Sequence, residues 1–298
     1  MRVLNAEPAS QSGAAADPLA LSTRLQQLIL ALKSEFVRDD GTGVDYGAAR
    51  ESSLFAEYAV AARELQQVEV EALGDEAERR CLFINLYNAL TVHGLVTTSP
   101  LPESPQKVAD FYNSTAYRIG SRTLTLNDIE HGILRGNGVQ PASRSPHWPA
   151  SDERARLALP LDPRIHFALN CGAKSCPPIR VFTPGNLEFG LKAAAAGFLE
   201  SQTEVDEQGV ELSSLLLWYG SDFGATQEEV LSTVCAYLPQ ASAKREALSR
   251  LLEQSRDKPM PLSSTLWNGV VSLVFPMFMR RGPVSVRYAA YDWNLNAV

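Results

Sequence analysis

The chain has 298 residues, 45% hydrophobic and 20% charged, with a net charge of −7 and four cysteines. This composition suits a globular protein with a sizeable core, and it excludes a disulfide-built scaffold and a broadly basic nucleic-acid binder. The N-terminus lacks the apolar core of a secretory signal, and no segment has the run of about 20 apolar residues needed to cross a bilayer, so a cytoplasmic protein is expected.

Residues 1–16 are rich in Ala, Ser, Gly and Pro and read as a disordered leader, followed by a single domain over 17–298. Leu21, Leu25, Leu28, Ile29 and Leu32 recur at helical spacing, predicting an amphipathic helix over 18–37. A second helix is expected over 48–65. A third, capped by Asp75, should run to Leu95 with Leu82, Leu86, Ala89 and Leu90 as its buried stripe. His93 is placed to cap the carbonyls at its end. Residues 114–126 read as a hairpin turning at Gly120-Ser121. Asn127 should cap a short helix, DIEHGILRG, which Gly136-Asn137-Gly138 stops, and residues 137–160 form a long loop holding His147 and Trp148.

Residues 162–183, DPRIHFALNCGAKSCPPIRVFT, concentrate the chemistry. Ile165, Phe167 and Leu169 alternate with His166, Ala168 and Asn170, which predicts a half-buried central strand broken at Gly172. Beyond it come a helix over 187–200, a hairpin over 204–213, helical segments over 215–224, 228–237 and 243–254, and a final strand within 284–296. The apolar run 264–279 is too short and too broken by Gly and Pro to span a membrane. It is expected to wall a pocket, or else to contact a protein or membrane surface through residues 267–279.

Cys171 and Cys176 lie five apart in a loop, and four roles compete for them. A nucleophilic thiol needs an imidazole or helix N-terminus beside it, and His166 reaches Cys176 more easily than Cys171 across the turn. A disulfide fits the spacing but not a reducing compartment. Zinc would need two more ligands, with His131 and His166 the candidates, and small buried cysteines are often simply packing. On the short helix, Asp128, His131 and Arg135 share a face: an imidazole oriented by a carboxylate, with Arg135 binding an anion, or else a solvated ion pair. Glu130 should tie the helix to a neighbour. Asn85 and Asn88 sit on an otherwise apolar helix, where a buried amide must brace a loop backbone or line a pocket. Walker, dinucleotide, HExxH and GxSxG motifs are absent from the sequence.

RCLFINLYNALTVHGL, LNDIEHGILRG, RIHFALNCGAKSCPPIRVFTP and YDWNLN, in that order, resemble the family catalogued as domain of unknown function 547 over about residues 76–296. Members joined to glutaredoxin-like or coiled-coil domains imply thiol chemistry or scaffolding. Cys81 and Leu82 depart from an Ala-Phe pattern, which removes Cys81 from the candidate site. The expected fold is α+β, a single largely helical domain with a small central sheet, reminiscent in residue types of papain-like and transglutaminase-like proteins. The expected function is a thiol-dependent hydrolase or acyl/amide transferase on a small molecule or peptide, with no cofactor assigned. Cys176 or Cys171 is the nucleophile, His166 or His131 the base, and Asn85, Asn88, Asn170, Arg135 and Asp128 the binding residues. The alternative is a non-catalytic binding or scaffold module.

Overall fold

The computed structural model describes residues 1–9, 16–37, 43–141, 143, 145–255 and 284–297. They form an α+β fold gathered into two compact units, Met1–Gly190 with Asp292–Val298, and Leu191–Tyr291. The apolar run 267–279 lies outside the described residues.

In the first unit, β1 (Arg2–Val3) is followed by α1 (Pro18–Glu35), α2 (Tyr46–Arg50), α3 (Ser53–Arg63) and α4 (Glu76–Val96). Every residue of α4 from Arg80 to Val96 is buried. A helix apolar on all sides must lie inside, and each large aliphatic or aromatic side chain it buries contributes about 1.5–3 kcal/mol. Helices α1 and α2 pack directly on it. The single helix expected over 48–65 is interrupted because Ser52 adopts an extended backbone and its Oγ accepts the Phe55 N–H at 3.1 Å, capping a new helix.

A short helix α5 (Phe111–Ser114) leads into the expected hairpin, β2 (Thr115–Ile119) and β3 (Arg122–Thr125), which turns at Gly120 with φ +56°. β1 adds to β2 in parallel, with Arg2 opposite Thr115, which corrects the reading of the whole start of the chain as leader. Polar side chains hold it there: the Arg2 guanidinium donates to Gly94 O at 2.8 Å, and the buried Asn5 amide donates to Ala62 O and Arg118 O. His93 is likewise not a carbonyl cap. It is buried against Phe55 and Tyr58, with Nδ1 2.8 Å from the Tyr117 hydroxyl, and burial pushes its pKa down to about 3.

Two expected elements take a different form. The helix after Asn127 is a π-helix over Asp128–Leu134, closed by i to i+5 bonds such as Arg135 N–H to Glu130 O at 2.8 Å. The central strand is absent. Residues 163–167 form a 3₁₀ turn, because Asp162 accepts the Arg164 N–H and Pro163 presets the first helical φ. Residues 165–170 are all buried, so the alternating pattern there has no exposed face and carries no strand signal.

α6 (Leu187–Gln202) carries the chain onward. The second unit holds the antiparallel pair β4 (Glu204–Asp206) and β5 (Gly209–Ser213), two short helices α7 (Ser214–Trp218) and α8 (Gly220–Phe223), then α9 (Gln227–Tyr237), α10 (Ala243–Ser255) and β6 (Val286–Ala289). α9 starts with a reciprocal cap between Thr226 and Glu229. β6 pairs with β5 in parallel, and among the described residues the expected small sheet is one of two, each three-stranded. After β6, the final residues return to the first unit. Leu295 is buried there, whereas Trp293 is half-buried. Among the described residues no helix is long and apolar enough to cross a membrane.

Candidate functional site

The loop 168–182 is held by asparagine side chains from one face of α4. Asn88 Nδ2 donates to Ala168 O at 2.9 Å, and its Oδ1 accepts the Asn170 N–H at 2.8 Å. One turn earlier, Asn85 makes the same two-bond clamp on Phe182, at 2.8 and 3.0 Å. Both amides are fully buried, and each satisfies one backbone donor and one acceptor that no strand partner serves. Asn170 closes the loop on itself: Nδ2 donates to Pro177 O at 2.7 Å and Oδ1 accepts the Gly172 N–H at 2.9 Å. Gly172 sits at φ +92°, the left-handed conformation this turn needs. The C-terminal residues cover the turn, with the Lys174 N–H donating to Asn294 O and the Asn296 N–H to Gly172 O.

This cage sets the two cysteines side by side. All four cysteines of the chain are thiols, and Cys171 and Cys176 are half-buried. The Cys171 backbone N–H donates to Cys176 Sγ at 3.2 Å, and the Cys176 N–H donates back to Ala173 O at 3.1 Å. Negative charge on Cys176 would be felt by Lys33 of α1 and by Tyr46 of α2. Burial lowers the Lys33 ammonium's pKa, and the Cys176 charge opposes that. Tyr112 donates its hydroxyl to Cys171 O at 3.1 Å. Burial raises its pKa well above the ordinary phenol value, and charges at Cys171, Cys176 and Glu130 raise it further.

On the π-helix Asp128, Glu130, His131 and Arg135 are all buried, which removes the solvated-face reading. The expected partnership of Asp128 with His131 is also replaced. Arg135 Nη1 lies 2.9 Å from His131 Nδ1 and donates to Val139 O at 2.9 Å. A guanidinium can only donate, so His131 Nδ1 is the acceptor and the ring proton sits on Nε2. Burial pushes the His131 pKa down to about 4, with Glu130 opposing and Arg135, His147 and His166 adding to it. His131 is therefore a neutral donor, its Nε2 lying 4.0 Å from Glu130 Oε1. Arg135 is buried on the π-helix, with Nη1 directed at His131 and a backbone carbonyl. Glu130 accepts the Tyr87 hydroxyl of α4 at 2.9 Å, tying the two helices as expected.

Asp128 instead organises the long loop. Its Oδ1 accepts Trp148 Nε1–H and His147 Nε2–H, both at 2.9 Å, and its Oδ2 accepts the Thr125 N–H. Burial pushes this carboxyl up, but the bonds from His147 and Thr125 and the charge of Arg154 outweigh it and hold its pKa below the ordinary value. Trp148 packs on Gly132, where an added Cβ would lie 2.3 Å from the indole. A glycine inside an otherwise helical pattern was the available signal for that packing. Tyr112, His147, Trp148, Lys33 and Tyr46 carry no motif and were not legible from sequence. His166 follows on the 3₁₀ turn, buried and close enough to His131 to depress its pKa. Tyr112 thus feels the charges of Cys171, Cys176 and Glu130, and His131 those of Glu130, Arg135, His147 and His166. Among the described residues no group of three or more His, Cys, Asp or Glu is placed to hold a metal ion.

The family model described as "Protein of unknown function, DUF547" matches residues 71–199. No curated protein and no solved structure matches the chain. The likeness to papain-like and transglutaminase-like proteins therefore stays an analogy of residue types.

Proposed function

The chain belongs to the DUF547 family over residues 71–199, which contain all the candidate site residues from Asn85 to Cys176, and from that premise we propose a thiol-dependent hydrolase or acyl/amide transferase. The observation that carries the proposal is the sulfur of the half-buried Cys176 accepting the Cys171 N–H at 3.2 Å in a loop locked by Asn88 and Asn170. A fixed donor aimed at sulfur favours its thiolate, the nucleophilic form. The neighbourhood of the Lys33 cation supports the same assignment.

Cys176 is the nucleophile and His166 the base. His131 is unsuited to that role, since Arg135 occupies its Nδ1 and its Nε2 carries the proton. The cysteine transfers its proton to His166, and sulfur attacks the carbonyl carbon of an ester or amide. The leaving group departs with the proton from His166, and water or an amine then takes the acyl group from sulfur. A net charge of −7 and the half-buried loop suit a small molecule or short peptide rather than nucleic acid, and four thiols suit a reducing compartment such as the cytoplasm. The competing non-catalytic module draws support from Asn85 and Asn88, whose amides are spent on backbone.

4-Nitrophenyl acetate, with nitrophenolate release and intact-mass measurement, separates the two. The enzyme reading expects a burst near one equivalent and an acetyl group on the peptide holding Cys176, both lost in Cys176→Ala. Hydrolysis that persists unchanged in Cys176→Ala, or no acylation at all, removes it.

A further inference from the structure

The two loop thiols are arranged for each other, whatever substrate the site accepts. Cys176 Sγ lies 3.2 Å from the Cys171 nitrogen. The N–Cα bond adds at most about 1.5 Å, so the Cys171 Cα is within about 4.7 Å of the partner sulfur. That bound is close to the span from a Cα to the partner sulfur in a disulfide, so rotation of the Cys171 side chain brings the two sulfurs toward bonding distance. The bonds that close the loop, Asn170 Nδ2 to Pro177 O and the Cys176 N–H to Ala173 O, hold the two ends at this spacing. Both thiols are half-buried, so small oxidants reach them, whereas Cys81 is fully buried.

We infer that Cys171 and Cys176 form a reversible redox pair, which a hydroperoxide converts to an intrachain disulfide with Cys176 as the reacting thiol and Cys171 as the resolving one. The Cys176 thiolate attacks the outer peroxide oxygen. The O–O bond breaks as an S–O bond forms, giving a sulfenic acid, and the alkoxide leaves as an alcohol by taking up the thiol proton. Cys171 sulfur then attacks Cys176 Sγ, an S–S bond replaces the S–O bond, and the departing hydroxide takes the Cys171 proton to become water. Two thiols and one hydroperoxide thus give one disulfide, one alcohol and one water. The disulfide occupies the nucleophile, so oxidation switches off any chemistry at Cys176 and a dithiol reductant restores it.

The sequence provides a clean readout. Lys174 separates the two cysteines, so trypsin cuts between them and yields peptides 165–174 and 175–180. After one to two equivalents of hydrogen peroxide, alkylation of remaining thiols in denaturant and digestion, we expect these two peptides linked and lighter than their sum by about 2 Da. Dithiothreitol should separate them, and Cys81 and Cys235 should be recovered alkylated. Cys171→Ser, checked for folding by its thermal transition, should instead accumulate a dimedone adduct on Cys176. Recovery of both loop cysteines as alkylated thiols, or oxidation of Cys235 ahead of them, would overturn the pair. The wild-type result is decisive even if the variant fails to fold. It is also independent of acyl transfer, because a linked pair without esterase activity would remove the function proposed above and leave this inference standing.

Discussion

Replacing Asn88 with leucine tests the strongest structural dependency in the first unit. The side chain is fully buried and serves Ala168 O and the Asn170 N–H at 2.9 and 2.8 Å. Leucine has a comparable volume, so little cavity results and the loss is one of hydrogen bonding. Two buried backbone groups are left unsatisfied at about 1–3 kcal/mol each. The gain from no longer burying an amide offsets roughly 1–2 kcal/mol of that. We therefore expect Asn88→Leu to destabilise by about 1–4 kcal/mol. Urea midpoints followed by circular dichroism at an unchanged slope would measure it. Asn85→Leu, which releases Phe182 in the same way, should cost a similar amount. A neutral or stabilising Asn88→Leu would show that the loop does not depend on the clamp.

Three further outcomes follow from the same geometry. His131 and His93 are held neutral with pKa values near 4 and 3, so their unfolded forms bind protons first as pH falls. Stability should be intact above about pH 7 and should fall by about 2 kcal/mol per histidine by pH 5, and a stability flat over that range would contradict the buried neutral rings. Gly132→Ala should destabilise by about 1–3 kcal/mol through collision with the Trp148 ring. Trp148→Leu should relieve part of that loss, and strictly additive thermal shifts would show that the two residues do not touch. Asn170→Ala removes both bonds that close the cysteine loop and should lower stability by about 1–3 kcal/mol. It should also reduce the yield of linked peptides after peroxide, and an unchanged yield would mean that the loop holds its spacing without Asn170.

Much of this arrangement was legible because burial forces polar side chains to find partners. Two asparagines on an apolar helix predict a braced loop, and the fold gives each a donor and an acceptor on backbone. Residues 165–170 misled because alternation signals a strand only where one face is exposed, and here every residue is buried. Asp128 and His131 stand three apart, which on an ordinary helix puts them on one face. The π-helix and the position of Trp148 redirected the carboxylate to the long loop, and no local pattern encodes that choice. Tyr112, Lys33 and Tyr46 reach the site only through tertiary contacts from separate elements.

Competitive labelling with iodoacetamide at pH 7, resolved by peptide, tests the nucleophile most directly. We expect Cys176 to be modified first, at least about tenfold faster than Cys235, because its sulfur has a fixed N–H donor and lies near the Lys33 cation. Cys81, buried and with its thiol pushed up to about 12, should be the slowest. His166→Ala should slow Cys176 while leaving Cys235 unchanged. If Cys176 reacts no faster than Cys235, or if the loss of His166 does not change its rate, the thiol site proposed here is wrong.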